Sequence, residues 1–338
     1  MTMRIAVIGA GSWGTALAVL LGASDKAEVR LWARDAELIR ALAETRQNIR
    51  YLPDVALPEI VAPTTDLAAA VSEADFVALA VPCGAVRAVS LAIAPALAPN
   101  AILISAAKGL ETGTGQRMSE VIAEAIPGAS ERIVALSGPN LAVEVARGIP
   151  TASVAASTNS EAARAVQRLF AMQAAPTFRV YTGRDVIGVE LGGAIKNVIA
   201  IASGVCDGLG FGDNSKAGLM TRGLTEAIRL GVAQGADAAT FLGLSGVGDL
   251  IATGNSRLSR NFRVGAALGR GEALAVVLTE LGQVAEGVPT TRVLCDLAAR
   301  YEVEMPLCRA LHSVLFEGRA APDVIRELML RPPKEENC

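Results

Sequence analysis

The chain has 338 residues, of which 51% are hydrophobic and 19% charged, and its formal net charge is −3. This length predicts two domains, and the slightly negative charge argues against a nucleic-acid-binding surface, which needs a strong positive potential. The start of the chain lacks the basic region of a signal peptide. The uncharged segment 89–107 is interrupted by Pro95, Pro99 and Asn100, so it predicts a helix, a turn and a strand rather than a membrane span. We expect a cytoplasmic protein.

The first elements along the chain are a strand, a glycine-rich turn and a helix. Gly9, Gly11 and Gly14 have the G-x-G-x-x-G spacing of a dinucleotide-binding turn. The first glycine permits a tight turn, the second lets the backbone approach a pyrophosphate, and the third lets the helix pack closely on the strand. The free N–H groups at the start of the helix bind phosphate. The pattern predicts a site for NAD(H) or NADP(H).

The residues after the second predicted strand select the cofactor. An acidic side chain at this point binds the ribose 2′-hydroxyl of NAD, whereas an arginine accommodates the 2′-phosphate of NADP. Here Arg34 comes first and Asp35 follows. The order favours NADP(H) without excluding NAD(H). The alternative is a solvated Arg-Asp pair at the start of the next helix.

Hydrophobic patterns alternate between strands and helices through the first half of the chain and become purely helical afterwards. Alternation predicts a doubly wound parallel sheet of the Rossmann type with helices on both faces. Strands are predicted near residues 3–8, 28–32, 75–81, 101–106, 132–136, 151–156 and 177–181. The helices between them are predicted at 12–22, 35–45, 84–94, 115–125, 140–147 and 160–170.

The strand signal stops near Gly183. The later helices are predicted at 186–205, 216–234, 237–243, 261–269, 272–278, 290–301, 307–317 and 322–329. We therefore expect a dinucleotide-binding domain over residues 1–183 and an all-helical, substrate-binding and catalytic domain over residues 184–338.

The segment 190–204 is apolar or small almost all round, which predicts a buried helix. Gly192 and Gly193 weaken such a helix, so we expect something to approach it closely. Lys196 is inserted into this surface without an acidic neighbour one turn away. Burial lowers the pKa of a lysine and makes it a proton donor or a group that polarises a carbonyl. The alternative is a lysine whose stem is buried and whose amine reaches water.

Two further segments follow predicted strands at the edge where α/β proteins bind ligands. Lys108 opens the turn after the strand near 101–106, and residues 137–140 follow the next strand. The alternatives are a surface lysine and an ordinary turn.

The helical half carries a third polar cluster. Glycines precede Asp249, which is either a group at a tight approach or a helix N-cap. Ser259, Arg260 and Asn261 directly precede a predicted helix. A hydroxyl, a guanidinium, an amide and a helix N-terminus together suit a phosphate group, and the alternative is a polar turn.

Cysteine and histidine usage disfavours several mechanisms. None of the five cysteines forms a C-x-x-C pair, which disfavours a zinc dehydrogenase and predicts no metal site. Cys83 is expected to be a small buried thiol. The single histidine, His312, has the spacing of a structural residue on a helix face. A His-Asp dehydrogenase pair and a Ser-His hydrolase are therefore disfavoured.

Together these segments resemble the bacterial NAD(P)-dependent glycerol-3-phosphate dehydrogenases over nearly the whole chain. The matching segments are residues 9–14, 108–110, 137–139, 190–197, 213–217, 220–223, 248–250, 259–261 and 286–287. The resemblance implies NAD(P)H-dependent reduction of dihydroxyacetone phosphate to sn-glycerol 3-phosphate for phospholipid synthesis. We also expect a homodimer.

The resemblance implies a role for each matching position. Lys196 is implied as the proton acceptor of the alcohol direction. The implied substrate contacts are Lys108, Gly138, Asn140, Lys196, Asp249, Ser259, Arg260 and Asn261. The implied cofactor contacts, beside the three glycines of the turn, are Ser12, Trp13, Arg34, Lys108, Ala142, Arg260, Val284 and Glu286.

The chain departs from the family at two places. Asn140 stands where the family usually has serine or threonine, and an amide can still donate a hydrogen bond. Cys83 and Gly84 stand where the family often has a hydroxyl residue followed by histidine or glutamine, so no role is implied for them.

Two other functions are compatible with the same sequence. A 3-hydroxyacid or ketopantoate-type reductase would keep the fold and an analogous helix lysine, but its carboxylate substrate needs less of a phosphate site. A redox-sensing dinucleotide-binding protein would not need a desolvated lysine beside the nicotinamide.

Overall fold

The glycine turn lies between the first strand and the first helix, as the sequence predicts. The structure is a computed structural model that describes residues 2–174, 176–333 and 335–336. In chain order the first elements are β1 (Met3–Ile8), α1 (Ser12–Leu21), β2 (Ala27–Trp32), α2 (Ala36–Thr45), β3 (Gln47–Asn48), β4 (Leu52–Ala56), β5 (Val61–Thr64), α3 (Leu67–Val71), β6 (Phe76–Leu79), α4 (Cys83–Ile93), β7 (Ile102–Ser105), α5 (Met118–Ala125), β8 (Ile133–Ser137), α6 (Ala142–Ala146), β9 (Thr151–Ala156), α7 (Ser160–Gln173) and β10 (Phe178–Gly183).

Eight of these strands form one twisted sheet in the order β10-β9-β8-β7-β6-β1-β2-β5. The chain moves outward from β1 to β2 and β5, then crosses back to β6 on the other side of β1. This reversal is the topological switch point at which doubly wound sheets bind dinucleotides. Val7, on β1, pairs with Leu31 of β2 and Ala78 of β6, and all three side chains are buried. The predicted Rossmann-type sheet is confirmed.

One strand pair is an exception to the expected parallel arrangement. Strand β9 runs antiparallel to β8, with Leu136 opposite Ala155. The predicted helix at 140–147 is reduced to the five residues of α6, which span only about 7.5 Å. A parallel strand would have to begin at the end of the sheet where β8 begins, and so short a helix does not carry the chain back there. Strand β9 therefore starts beside the end of β8 and runs in the opposite direction.

The elements between α2 and β6 are not predicted by the hydrophobic pattern of the sequence. Strands β3 and β4 form a separate two-stranded hairpin, β5 extends the main sheet at its edge, and α3 follows. Each of these elements has five residues or fewer, too few to show a clear hydrophobic period.

After β10 the described chain is helical. The helices are α8 (Val186–Gly208), α9 (Asp213–Ala233), α10 (Asp249–Gly254), α11 (Arg260–Gly269), α12 (Leu274–Leu281), α13 (Gly287–Arg300), α14 (Pro306–Phe316) and α15 (Ala321–Met329). The predicted helix at 237–243 is a short 3₁₀ helix, Ala238–Leu242, and α10 was not predicted.

Helix α8 is the centre of the helical part, as its apolar sequence predicts. Among the described residues it is the one helix that is long and apolar enough to cross a membrane, and 83% of its apolar window is buried within the protein. A Cβ atom on Gly192 would lie 2.8 Å from the carbonyl oxygen of Ser245, and one on Gly193 would lie 2.8 Å from Ser137 Oγ. The close approach inferred from these glycines is therefore made by the protein itself.

Helix α11 packs directly on α8. A Cβ atom on Gly204 would lie 2.1 Å from the carbonyl oxygen of Phe262, and one on Gly265 would lie 1.9 Å from that of Ile201. Only glycine allows the two backbones to approach this closely. This contact brings the start of α11, with the predicted phosphate-binding residues, to the helix that carries Lys196.

Candidate active site

The glycine turn has the geometry that its sequence predicts. Gly9 has a φ of +115°, in the region that favours glycine. A Cβ atom on Gly14 would lie 1.7 Å from the carbonyl oxygen of Gly9, so only glycine lets α1 pack on the strand. A Cβ atom on Gly11 would meet no atom within 4 Å. The space above Gly11 is therefore open to a ligand.

Two features beside the turn fit a bound dinucleotide. Gly11 is the N-cap of α1 and has no side-chain cap, and the first turn of the helix holds no acidic residue. The helix N–H groups are thus available to a phosphate. The buried indole Nε1 of Trp13 has no hydrogen-bond partner among the described residues, and Ala142 packs in the same small apolar cluster as Trp13.

The β3–β4 hairpin supports the glycine turn. Asn48 is fully buried, and its Nδ2 donates hydrogen bonds to the carbonyl oxygen of Ala10 (2.9 Å) and to Thr15 Oγ1 (2.7 Å). Ser12 Oγ donates to the carbonyl oxygen of Tyr51 at 2.7 Å. Asn48 was not identified from the sequence, because a single asparagine in a polar segment gives no signal of burial.

Arg34 lies exposed at the carboxyl end of β2, where a cofactor ribose binds in this fold. Asp35 Oδ1 accepts hydrogen bonds from the backbone N–H groups of Glu37 and Leu38 and caps α2. Asp35 Oδ2 lies 3.2 Å from a guanidinium nitrogen of Arg50. Both oxygens of Asp35 are engaged, whereas Arg34 makes no hydrogen bond or ion pair with a described residue.

The centre of the site is a buried group of two lysines and one carboxylate. Lys196 Nζ lies 3.0 Å from Asp249 Oδ1 and donates a hydrogen bond to Thr253 Oγ1 at 2.7 Å. Lys108 Nζ lies 2.8 Å from Asp249 Oδ2 and donates to the carbonyl oxygen of Gly138 at 2.7 Å. Asp249 is 1% exposed and Lys196 is 8% exposed. Lys196 is therefore buried, and its amine is bound to Asp249 and Thr253, which disfavours the alternative of an amine extended into water.

Asp249 is the first residue of α10 and does not act as its N-cap, since Gly248 holds that position. Burial raises the pKa of Asp249, but Lys108 and Lys196 lower it further, so the net pKa lies below the ordinary value. Asp249 therefore remains ionised between the two lysines. Thr253 Oγ1 also donates to Asp249 Oδ1 at 2.9 Å.

Lys196 has a strongly shifted acidity. Burial lowers its pKa to about 8, and the positive charges of Lys108 and Arg260 add to this effect while Asp249 opposes it. This direction agrees with the one expected from the apolar sequence around Lys196. A group with a pKa near 8 gives up and regains a proton readily at neutral pH.

A chain of side-chain amides joins the lysines to α11 and α13. Asn197 Nδ2 donates to the carbonyl oxygen of Lys108 at 3.1 Å, and its Oδ1 accepts from Asn261 Nδ2 at 2.8 Å. Asn261 Oδ1 accepts from the backbone N–H of Gly287 at 3.0 Å. Asn261 thus connects three elements through its side chain, and the sequence did not identify Asn197 as its partner.

Ser259 and Arg260 stand at the start of α11. Ser259 Oγ accepts the backbone N–H of Phe262 at 3.2 Å and is the N-cap of the helix. Arg260 makes no hydrogen bond to a described residue. Burial lowers the pKa of Arg260, and Glu286 opposes this effect. A largely buried guanidinium without hydrogen bonds is suited to an anionic ligand.

Glu286 directly precedes α13, and its side chain reaches the start of α4. Its Oε1 accepts the backbone N–H of Cys83 at 3.0 Å. Burial raises the pKa of Glu286, partly offset by this hydrogen bond and by Arg260. Cys83 is buried, as expected, and burial raises the pKa of its thiol well above the ordinary value. Val284, two residues before Glu286, is 47% exposed.

The turn after β8 has two buried polar atoms without a partner among the described residues, Ser137 Oγ and Asn140 Nδ2. Asn140 Oδ1 accepts a hydrogen bond from Ser153 Oγ at 2.7 Å. Ser153 reaches this turn because β9 runs antiparallel to β8. The Nδ2 group of Asn140 is therefore the part of the side chain that remains available to a ligand.

Most of the site residues predicted from the sequence thus lie on the loops after β1, β7 and β8 and on helices α8, α10 and α11. His312 lies apart from these contacts: its Nδ1 is 3.1 Å from Glu317 Oε1 at the end of α14. The described residues contain no group of three or more metal-ligating side chains.

This fold and site define a Rossmann-type oxidoreductase with a helix-borne lysine at its centre. The family model for the NAD-dependent glycerol-3-phosphate dehydrogenase N-terminus matches residues 4–163, and that for the C-terminus matches residues 185–326. The chain belongs to the NAD-dependent glycerol-3-phosphate dehydrogenase family.

Curated relatives match the chain over its full length. It is 49% identical over 336 residues to a glycerol-3-phosphate dehydrogenase [NAD(P)+] of Moorella thermoacetica, covering 99% of this chain and 98% of the relative. It is 50% identical over 333 residues to a protein of the same name from Desulfitobacterium hafniense, covering 98% and 93%.

Solved structures also resemble this chain over nearly its full length. The glycerol-3-phosphate dehydrogenase of Coxiella burnetii is 36% identical, with a TM-score of 0.91 over 98% of this chain and 99% of that chain. A ketopantoate reductase of Ralstonia eutropha is 17% identical with a TM-score of 0.62 and covers 96% and 100%. The second likeness concerns the fold alone, so the fold by itself does not separate these two reductases.

Proposed function

We propose that this protein reduces dihydroxyacetone phosphate to sn-glycerol 3-phosphate, reversibly, with NADPH or NADH, and supplies glycerophospholipid synthesis. The observation that carries the proposal is the buried arrangement of Lys108, Asp249 and Lys196 beside Arg260. A ketone substrate needs a proton donor at its oxygen, and a phosphate ester needs a cation that is not already neutralised. This site offers both.

The cofactor is proposed to bind along the glycine turn and the carboxyl edge of the sheet. The open space above Gly11, the uncapped start of α1 and the unpartnered indole N–H of Trp13 support this placement. Arg34 would bind a 2′-phosphate, and Glu286 and Val284 would also contact the dinucleotide. When bound, the dinucleotide supplies the hydride that the ketone carbon accepts.

The substrate phosphate is proposed to bind at the start of α11. Arg260 would supply charge-assisted hydrogen bonds, and Asn140 Nδ2 an additional donor near the turn after β8. Ser259 and Asn261 would act mainly by holding this position, because their side chains already bond to Phe262, Asn197 and Gly287. Fixing the phosphate limits the orientations of the carbonyl group and reduces the entropy lost in the reaction.

Lys196 is proposed to donate the proton to the substrate oxygen in the reduction and to accept it in the oxidation. Asp249 holds its amine in place through an ion pair, and Thr253 accepts a second hydrogen bond from it. Lys108 adds a positive charge that stabilises the developing alkoxide. The side chains of Lys196 and Lys108 would thus supply proton transfer and charge stabilisation.

The domain division at residues 183 and 184 is part of the proposal. It is supported by the end of β10 at Gly183 and the start of α8 at Val186. We also propose a cytoplasmic homodimer, and light scattering of the purified protein tests the oligomeric state.

A substrate panel tests the proposed function. The purified protein is given NADPH with dihydroxyacetone phosphate, dihydroxyacetone or ketopantoate, and oxidation of NADPH is followed by its absorbance. We expect turnover with dihydroxyacetone phosphate and hardly any with the other two. Equal rates with dihydroxyacetone would contradict the phosphate site, and preference for ketopantoate would contradict the substrate.

A further inference from the structure

A pair of thiols lies in the helical part, at two positions that the proposed reaction does not use. Cys295 lies on α13 and Cys308 on α14, and their sulfur atoms are 3.8 Å apart. The two helices are joined by the short turn between Arg300 and Pro306. Two sulfur atoms at this distance are in van der Waals contact, and a disulfide bond requires them to approach to about 2.05 Å.

The position of Cys308 is held by its backbone and its thiol. Its N–H donates a hydrogen bond to Glu226 Oε2 at 3.1 Å, and the neighbouring N–H of Leu307 donates to Glu226 Oε1 at 2.7 Å. The thiol also lies 3.7 Å from the carbonyl oxygen of Thr291, one turn before Cys295 on α13. The start of α14 is thereby held by Glu226 of α9, and the Cys308 thiol lies against α13 with its sulfur atom next to that of Cys295.

The two thiols differ in exposure and in acidity. Cys308 is 3% exposed, whereas Cys295 is only partly buried. The hydrogen bond from Cys308 lowers the pKa of Cys295, with Arg309 adding to the effect and burial opposing it. The same hydrogen bond and burial raise the pKa of Cys308 well above the ordinary value. A partly accessible thiol of lowered pKa with a second thiol beside it is the arrangement of a redox-sensitive pair.

The other described cysteines lack these features. Cys83 and Cys206 are buried, each has its pKa raised mainly by burial, and neither has a thiol partner. Burial without activation makes a cysteine inert. Among the described cysteines, reactivity is therefore confined to one pair.

We propose that Cys295 and Cys308 form an oxidation site, at which a peroxide converts the two thiols into an intramolecular disulfide that joins α13 to α14. In the first step the Cys295 thiolate attacks a peroxide oxygen. The S–O bond forms, the O–O bond breaks, sulfur loses two electrons, and the departing hydroxide takes a proton to become water. In the second step the Cys308 sulfur attacks the sulfenic acid, an S–S bond replaces the S–O bond, and the thiol proton leaves with the hydroxide as water.

The disulfide closes a loop between two cysteines that are 13 positions apart in the chain. Closing a loop restricts the unfolded chain, and the sulfur atoms already face each other in the folded protein. We therefore expect the oxidised protein to keep its fold and to unfold at a temperature a few degrees higher than the reduced protein.

The experiment treats the reduced full-length protein with hydrogen peroxide and maps the products by peptide mass spectrometry. A Cys338→Ser background removes the cysteine that lies outside the described residues. We expect one disulfide, between Cys295 and Cys308, whose peptide lacks two hydrogen atoms, and its disappearance after a dithiol reductant. The matched control is Cys206→Ser, which should oxidise as the background protein does.

Single variants separate the two steps. Cys308→Ser should leave a sulfenic acid on Cys295 that dimedone captures, whereas Cys295→Ser should leave Cys308 unmodified at the same peroxide dose. A faster reaction at Cys83 or Cys206, or a peroxide-treated protein in which both thiols of the pair stay free, would overturn the proposal. Circular dichroism of each variant checks that it is folded. These outcomes are independent of substrate turnover, which tests the proposed function separately.

Discussion

Lys196 and Asp249 form a buried ion pair, with Nζ 3.0 Å from Oδ1, and the other carboxylate oxygen of Asp249 lies 2.8 Å from Lys108. One carboxylate thus serves two lysines. Since one carboxylate cannot neutralise two ammonium groups, the three side chains together keep a net positive charge in the protein interior. This charge stabilises the negative charge that develops on a ketone oxygen as it is reduced.

The first prediction concerns Lys196→Met, which keeps the length of the side chain and removes the proton donor. General acid catalysis contributes about 10²–10⁴-fold, so we expect kcat for dihydroxyacetone phosphate to fall at least that far. Lys26→Met, on an exposed turn, is the control and should keep normal turnover. A Lys196→Met protein that retained more than about a tenth of the wild-type kcat would point to another donor, with Lys108 the next to test.

The second prediction is a pH dependence of opposite sign for the two directions. Lys196 has a pKa of about 8, so the protonated amine needed for reduction is lost as the pH rises through about 8. The rate of reduction should fall there, while the rate of glycerol 3-phosphate oxidation, which needs the neutral amine, should rise.

Lys108→Met provides the check on this assignment. The charge of Lys108 lowers the pKa of Lys196, so its removal should move both limbs to higher pH in profiles of kcat measured from pH 6 to pH 10. A profile that stays in place, or moves to lower pH, would assign the ionisation to another group.

The third prediction separates Arg260 from a neighbouring arginine on the same helix. Removing one member of a buried charge pair costs about 2–5 kcal/mol. Arg260→Ala should therefore raise KM for dihydroxyacetone phosphate strongly with either cofactor. Arg263→Ala, on an exposed position of α11, should leave KM unchanged. A normal KM in the Arg260 variant would mean that the phosphate binds elsewhere.

The fourth prediction concerns cofactor choice. Asp35 is held by α2 and by Arg50, so Arg34 is the group free to bind a 2′-phosphate. Arg34→Ala should weaken NADPH binding by about 1–3 kcal/mol, the range for a hydrogen bond to a charged group, and leave NADH binding nearly unchanged. Arg40→Ala, exposed on α2, should affect neither dinucleotide. Fluorescence titration measures both affinities, and equal losses for NADPH and NADH would show that Arg34 does not discriminate between them.

The fifth prediction contrasts two glycines of the same turn. Gly11→Ala adds a Cβ atom into open space at a φ of −75°, so the protein should fold with normal stability but bind NADPH and NADH more weakly. Gly14→Ala places a Cβ atom 1.7 Å from a backbone oxygen, so it should lower the unfolding temperature. Thermal unfolding without cofactor compares the two variants. A destabilised Gly11→Ala protein, or unchanged cofactor binding by it, would contradict the role of Gly11.

The sequence by itself determined the alternation of strands and helices, the glycine turn and the position of Lys196. Each of these rests on local patterns, namely glycine spacing, hydrophobic period and a single charge on an apolar helix. Lys196 was identifiable because it is a charged residue in a helix whose other residues predict burial. Burying a charge is costly, so such a lysine suggests a function.

Only the tertiary structure decided which side chains contact Lys196. Asp249 pairs with Lys108 across 141 positions of sequence, and no local pattern reports a contact of that kind. The antiparallel β9, the buried Asn48 and the facing thiols of Cys295 and Cys308 also depend on how elements pack. Hydrophobic period reports which face of an element is buried, whereas the partner of a buried polar group is set by the packing of helices and loops that are distant in the chain.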